Sequence, residues 1–97
     1  MPKGYWIVNN RVHDATAYEA YRAANGAPLA RHGGKFLVRA GKQEIREGEG
    51  HPRSVVIEFP SYAAAVACYD DTEYQAAIQL RAAAADGVFI ITEGYEG

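Results

Sequence analysis

The stretch Arg53-Ser-Val-Val-Ile-Glu-Phe-Pro-Ser61 constrains this chain more than any other. Its β-branched run Val55-Val56-Ile57 favours a strand, and Pro60, which has no amide hydrogen for a ladder, ends it. Ser61 then offers a helix N-cap to the alanine-rich run behind it. Odd positions Val55, Ile57 and Phe59 form one face, and even positions Ser54, Val56 and Glu58 form the other. A strand apolar on one side and half-apolar on the other belongs in the middle of a covered sheet. Glu58, a carboxylate set in that strand, is the first candidate for chemistry.

The flanking sequence supplies the rest of a sheet and its helices. Tyr5 to Val12 reads as a first strand with no simply polar face. Asp14 can cap a helix carrying Tyr18, Tyr21 and Leu29, with Gly26 and Pro28 expected to kink or interrupt it and Gly33-Gly34 to stop it. Lys35 to Ala40 is a second strand. Gly41 to Pro52 is a polar connection, with a short ribbon expected around Gln43 to Arg46, and it makes an extended hairpin with the central strand. From Ser61 a short helix carries Tyr62, Val66 and Tyr69. Asp70-Asp71-Thr72 interrupts it, and Asp71 caps a further helix with Tyr74, Ala77, Ile78 and Arg81 on one stripe. Val88 to Glu93 is the last strand.

The order β-α-β-β-α-β, with short right-handed connections, predicts an α+β ferredoxin-like domain over residues 1–97: a four-stranded antiparallel sheet with its helices on one face. The other face should then be polar, yet Trp6 and Ile7, Val56 and Ile57, Ile90 and Ile91 place apolar groups on both faces. A chain of 97 residues has no third layer to offer, so a second copy is the simplest cover, and a homodimer packed through its sheets is expected.

Composition excludes several classes of function. A formal charge of -2 leaves no electrostatic footprint for nucleic acid, whose binding needs clustered Lys and Arg. No apolar run approaches the roughly 20 residues of a membrane span, and the first residues lack the apolar core of a signal peptide. The single cysteine, Cys68, cannot form an internal disulfide and fits a reducing compartment, so a cytoplasmic protein is expected.

Several runs resemble a known family: Asp14, Tyr18 and Tyr21; Gly33-Gly-Lys-Phe-Leu-Val-Arg39-Ala-Gly41; Glu47-Gly48; Arg53 to Ser61; Tyr69; Glu73-Tyr74-Gln75; Arg81; and Glu93-Gly94. Together they look like domain-of-unknown-function family 1330, over roughly Tyr5 to Gly94. That family is similar in architecture to the dimeric α/β-barrel superfamily, which includes cofactor-independent monooxygenases, haem-degrading enzymes, small-molecule isomerases and dehalogenating proteins. Cys68 stands where the family usually has tryptophan, and Asp71-Thr72 replaces its usual Ser-Pro. The resemblance implies a dimeric α/β barrel and fixes no reaction.

The residues that could carry chemistry each have a structural alternative. Glu58 and Arg39 lie in adjacent strands and could form a structural ion pair, or a proton-moving carboxylate beside an anion-holding guanidinium. Arg81 shares a helical stripe with Tyr74 and Ile78, where it either snorkels past the core or holds a ligand. Tyr18 and Tyr74 are core aromatics or pocket walls. His13, His32 and His51 are widely spaced and form no metal-ligand pattern; His13, at a strand end, is the second candidate for proton transfer. Cys68 reads as a core filler and no phosphate loop or serine-nucleophile motif is present. The expected function is a cofactor-independent enzyme or binder of a small anionic or oxygenated organic molecule, with Glu58 and His13 catalytic, Arg39, Tyr18, Tyr74 and Arg81 binding, and no metal. The alternative is a non-catalytic dimeric ligand-sensing or interaction module.

Overall fold

The computed structural model describes residues 2–97. Its elements are β1 (Gly4–Val12), α1 (Ala15–Arg31), β2 (Lys35–Arg39), β3 (Arg53–Phe59), α2 (Tyr62–Asp70), α3 (Thr72–Ala82) and β4 (Ala85–Glu93). The sheet runs β2-β3-β1-β4 with every neighbouring pair antiparallel, the strand order of a ferredoxin-like α+β domain. The helices begin where local chemistry supplies acceptors for their first amides. Asp14 accepts from Ala17 N at 3.1 Å, Ser61 from Ala64 N at 3.0 Å, and Asp71 from Glu73 N at 2.8 Å.

Parity along the strands decides what is buried. Val55, Ile57 and Phe59 are buried on the helix side of β3, and Val56 and Glu58 are half-buried on the open side. Trp6 of β1, opposite Ile57, is 1% exposed and anchors the core. Its indole N–H donates to Ala65 O of α2 at 2.9 Å, and its ring lies 4.9 Å from both Phe59 and Tyr74. Cys68 is fully buried beneath α1, its thiol 3.6 Å from Pro28 O, and burial followed by the nearby Asp71 charge pushes its pKa up to about 12. It is a packed thiol rather than a nucleophile.

Three local expectations are corrected. α1 runs unbroken through Gly26 and Pro28, because Pro28 and Leu29 are buried in the helix interface and tertiary packing overrides their poor propensity. β4 begins at Ala85, three positions before Val88, because the end of β1 is long enough to pair Val12 with Ala85. Gly87 makes that extension feasible, since a side chain there would meet Asn10 Cα at 2.6 Å. The connection 40–52 forms no ribbon. It is fastened by Asn9, whose amide donates to His51 O and Arg53 O at 3.0 Å and accepts from His51 N at 2.7 Å.

The most consequential departure lies at Leu37. Lys35 faces Glu58 and Phe36 faces Ile57, but after the shift at Leu37 it is Val38 that faces Val56 and Arg39 that faces Val55. A bulge adds one residue and therefore exchanges the faces of everything beyond it. Arg39 is thereby carried to the helix side, whereas Glu58 stays on the open side. The Arg39–Glu58 pair expected from adjacent strands does not exist.

Candidate functional site

Packing between α1 and the covered face of the sheet is incomplete, and the gap is a cleft whose walls come from six elements. Its floor is apolar: Trp6 and Val8 from β1, Val55 and Ile57 from β3, Phe36 from β2 and Phe89 from β4. Its polar lining consists of Arg22, Arg39, Arg53 and Arg81, the amides of Asn10 and Asn25, and the phenols of Tyr18 and Tyr21. Among the described residues, no Asp, Glu or His lines it. The enclosed space is about 30 Å³, on the scale of one water-sized group. An adjoining recess of about 180 Å³ shares Val8, Asn10, Arg81 and Phe89, and is completed by α3, β4 and Asp86.

The guanidinium groups are held by neutral oxygens and rings. Arg53 donates to Asn10 Oδ1 at 3.0 Å and to Tyr18 OH at 2.9 Å, with its Cζ 4.8 Å from the Tyr18 ring centre. Arg81 donates to Tyr74 OH at 2.8 Å and lies 5.0 Å from the Phe89 ring. Tyr74 and Tyr21 share a hydrogen bond of 2.6 Å between their phenols. Burial, reinforced by Tyr21, pushes the Tyr74 phenol well above its ordinary value against the opposing pull of Arg81, so Tyr74 stays neutral. Burial disfavours the Arg81 charge, but the Tyr74 and Tyr21 oxygens outweigh it and raise its pKa. Arg39 stacks on Phe36 at 4.1 Å. Arg22 alone has a carboxylate, Glu19 at 2.9 Å. Among the described residues, Arg39, Arg53 and Arg81 make no ion pair with an acid.

Three of the residues singled out in the sequence, Tyr18, Arg39 and Arg81, therefore meet in one cleft, and Tyr74 stands behind Arg81. Two lie elsewhere. Glu58 is on the open face, accepting from Tyr5 OH at 3.2 Å with Lys3 Nζ at 4.0 Å. Burial, then this hydrogen bond, raises the Tyr5 pKa. His13 follows β1, half-exposed, with Nε2 3.5 Å from Asp86 Oδ2, and it lines neither recess. Among the described residues no three His, Cys, Asp or Glu side chains gather as metal ligands.

Arg53, Asn10 and Asn25 escaped the sequence reading, although strand parity and helical spacing mark them. Arg53 shares the parity of Val55 and Ile57, Asn10 that of Trp6 and Val8, and Asn25 falls on the stripe of Tyr18 and Tyr21. A polar residue on the core-facing side of an element was the signal.

The fold is that of several solved structures. A protein of unknown function from Rhodopseudomonas palustris aligns with a TM-score of 0.80 at 24% identity, covering 99% of this chain and 85% of that one. SnoaB, a cofactor-independent oxygenase from Streptomyces nogalater, aligns at 0.62 and 14% identity over 100% and 97%. An ethyl tert-butyl ether d (ethd) family protein from Bacillus halodurans aligns at 0.52 and 13% over 98% and 100%. At these identities the likeness is one of fold. No curated protein matches the chain. The family model described as Domain of unknown function (DUF1330) matches residues 3–95, and the chain belongs to that family.

Proposed function

We propose that this protein binds a small anionic, oxygenated organic molecule in the cleft beneath α1, without a resident cofactor, as a homodimer in the cytoplasm. The observation that carries the reading is the convergence of Arg39, Arg53 and Arg81 on an apolar-floored cleft with no carboxylate in its lining. Arg53 and Arg81 are half-buried, and such charges are ordinarily paired because their desolvation is costly; Arg39 stands exposed at the rim. An anionic ligand completes the set. In this reading Arg39, Arg53 and Arg81 hold the anion, Tyr18 lines the wall, and Tyr74 positions Arg81. The dimer is supported by the open face, where Val38, Val88 and Ile90 are 41%, 52% and 48% exposed beside Ile7 and Val56. The buried, reduced Cys68 accords with a cytoplasmic setting.

A catalytic role would resemble the cofactor-independent oxygenase in kind, with His13, 3.5 Å from the Asp86 carboxylate that lines the outer recess, as the proton acceptor. The second reading, a ligand sensor without turnover, is favoured by the lack of any carboxylate or histidine in the cleft lining itself. Binding is common to both and is tested first. A branched aliphatic carboxylate such as 4-methylpentanoate should raise the melting temperature, and the matched amine 3-methylbutylamine should not. Arg53→Met and Arg81→Met should each weaken carboxylate binding by roughly ten- to a hundredfold, the loss of one charge-assisted hydrogen-bonding group. Equal response to acid and amine would sink the reading.

A further inference from the structure

Two amides in the cleft have hydrogen-bonding capacity that the protein leaves unused. Asn10 is 3% exposed and Asn25 8%, so both are more than nine-tenths buried, and both line the cleft. A guanidinium can only donate, so Arg53 fixes Asn10 with Oδ1 toward itself, and Nδ2 is left with no acceptor in the protein. Among the described residues, the Asn25 side chain has no hydrogen-bond partner. Among the described residues no fully enclosed polar side-chain atom lacks a partner, so these amide atoms remain reachable from the cleft. Asn25 also occupies the middle of α1, where asparagine is a poor helix former. The hydrogen bonds of both amides are therefore open to a ligand, and a local rule broken without structural compensation marks a functional position.

We propose that Asn10 and Asn25 are a second recognition point beside the arginines, and that the cleft selects oxo-carboxylates with an apolar body. The proposal rests on the anion reading above and adds to it the identity of the ligand's second group. The arginines take the carboxylate. The free Asn10 Nδ2 is a donor only, and Asn25 can donate as well, so the matching group is an uncharged acceptor oxygen: a carbonyl adjacent to the acid. Val8 and Phe89, which line both the cleft and the adjoining recess of about 180 Å³, accommodate the aliphatic or aromatic remainder in that recess. An acid lacking the carbonyl would displace water from Asn10 Nδ2 and the Asn25 amide without replacing its hydrogen bonds, the arrangement that yields discrimination between ligands.

The test compares 4-methyl-2-oxopentanoate with 4-methylpentanoate, by calorimetric titration of the full chain. The wild type should bind the oxo acid about tenfold more tightly, the yield of one net hydrogen bond in a buried site. Asn25→Leu, branched at Cγ like asparagine and a better helix former, should bring that ratio toward one. On the wild type, the oxo acid should also shift the side-chain amide resonances of Asn10 and Asn25 in nitrogen-edited spectra, which keeps the test decisive if the variant folds poorly. Equal affinity of the wild type for the two acids, or a ratio unchanged in Asn25→Leu, overturns the amide assignment while leaving the anion reading intact. Binding of neither acid overturns both.

Discussion

The two faces of the sheet are built from the same strands and do opposite things. The helix side buries Trp6, Val55, Ile57 and Phe59 and then leaves a donor-rich cleft at one end. The open side carries Val56, Val88 and Ile90 without a covering layer, and its polar groups satisfy one another: Asn9 with the 40–52 connection, Glu58 with Tyr5. Asn9 and Glu58 on the open face are held by protein partners, whereas among the described residues the Asn25 side chain makes no hydrogen bond and Arg39, Arg53 and Arg81 meet no carboxylate. Unsatisfied chemistry, rather than the mere presence of charge, separates a candidate site from a scaffold.

The largest effect should come from exchanging the character of the two faces at adjacent residues. Ile57 is 4% exposed among the helices, and Ile57→Lys would bury an ammonium with no partner. It should cost more than about 4 kcal/mol and leave the chain unfolded by circular dichroism at 25 °C. Val56→Lys points its charge to the open side, where the long stem can reach water. The spectrum should be native. Light scattering should fall from about twice the 10.6 kDa chain mass to once that mass if this face joins two copies. A wild-type monomer at all concentrations would remove the dimer, and a folded Ile57→Lys would remove the distinction between faces.

A smaller effect is expected within the helical layer, where Asp71 ties the end of α1 to the start of α3. His32 bonds its carboxylate at 2.9 Å, Glu73 N at 2.8 Å and Arg31 Nε at 3.2 Å, and these hold its pKa at about 2 against a modest burial penalty. A carboxylate whose pKa is depressed by folding stabilises the native state above its ordinary value, near 3.8, and loses that contribution as pH falls toward 2. The melting temperature should therefore drop between pH 4 and pH 2, and Asp71→Asn should be less stable at pH 6 with a shallower acid limb. Parallel acid limbs for the two proteins would show that Asp71 is not the group responsible.

Most of this architecture is legible in the sequence because it rests on period and parity. Alternation in Arg53 to Phe59 identifies the covered face, and Asp14, Ser61 and Asp71 mark the helix starts by their own side chains. The cleft is legible in part: Tyr18, Arg39 and Arg81 stand out as polar or charged groups beside apolar stripes. What escapes is the consequence of one residue. Nothing in Lys-Phe-Leu-Val-Arg announces a bulge at Leu37, because bulges answer to twist and pairing with a distant strand. The continuity of α1 escapes for the same kind of reason. Pro28 is tolerated there because contacts remote in sequence, including Cys68, bury it.

That single bulge makes the smallest expected effect the sharpest test. Were strand β2 regular, Arg39 would share a face with Glu58 and the two could pair; removing either partner would then strand a half-buried charge at a cost of about 3–5 kcal/mol. With the bulge, Glu58 faces Lys35 across the ladder and accepts from Tyr5, while Arg39 stacks on Phe36 on the other side. Glu58→Gln keeps an acceptor for Tyr5 and loses only a long contact with Lys3, itself 56% exposed. Its cost should stay below about 1 kcal/mol. Arg39→Met should be similarly mild for stability, since it removes an exposed stacked charge from a cleft rim. The two changes should add, with a coupling energy within about 0.5 kcal/mol of zero in a double-mutant cycle followed by urea denaturation. A coupling of several kcal/mol would mean that the two side chains meet after all, that β2 pairs without its bulge, and that Arg39 belongs to the open face rather than to the cleft.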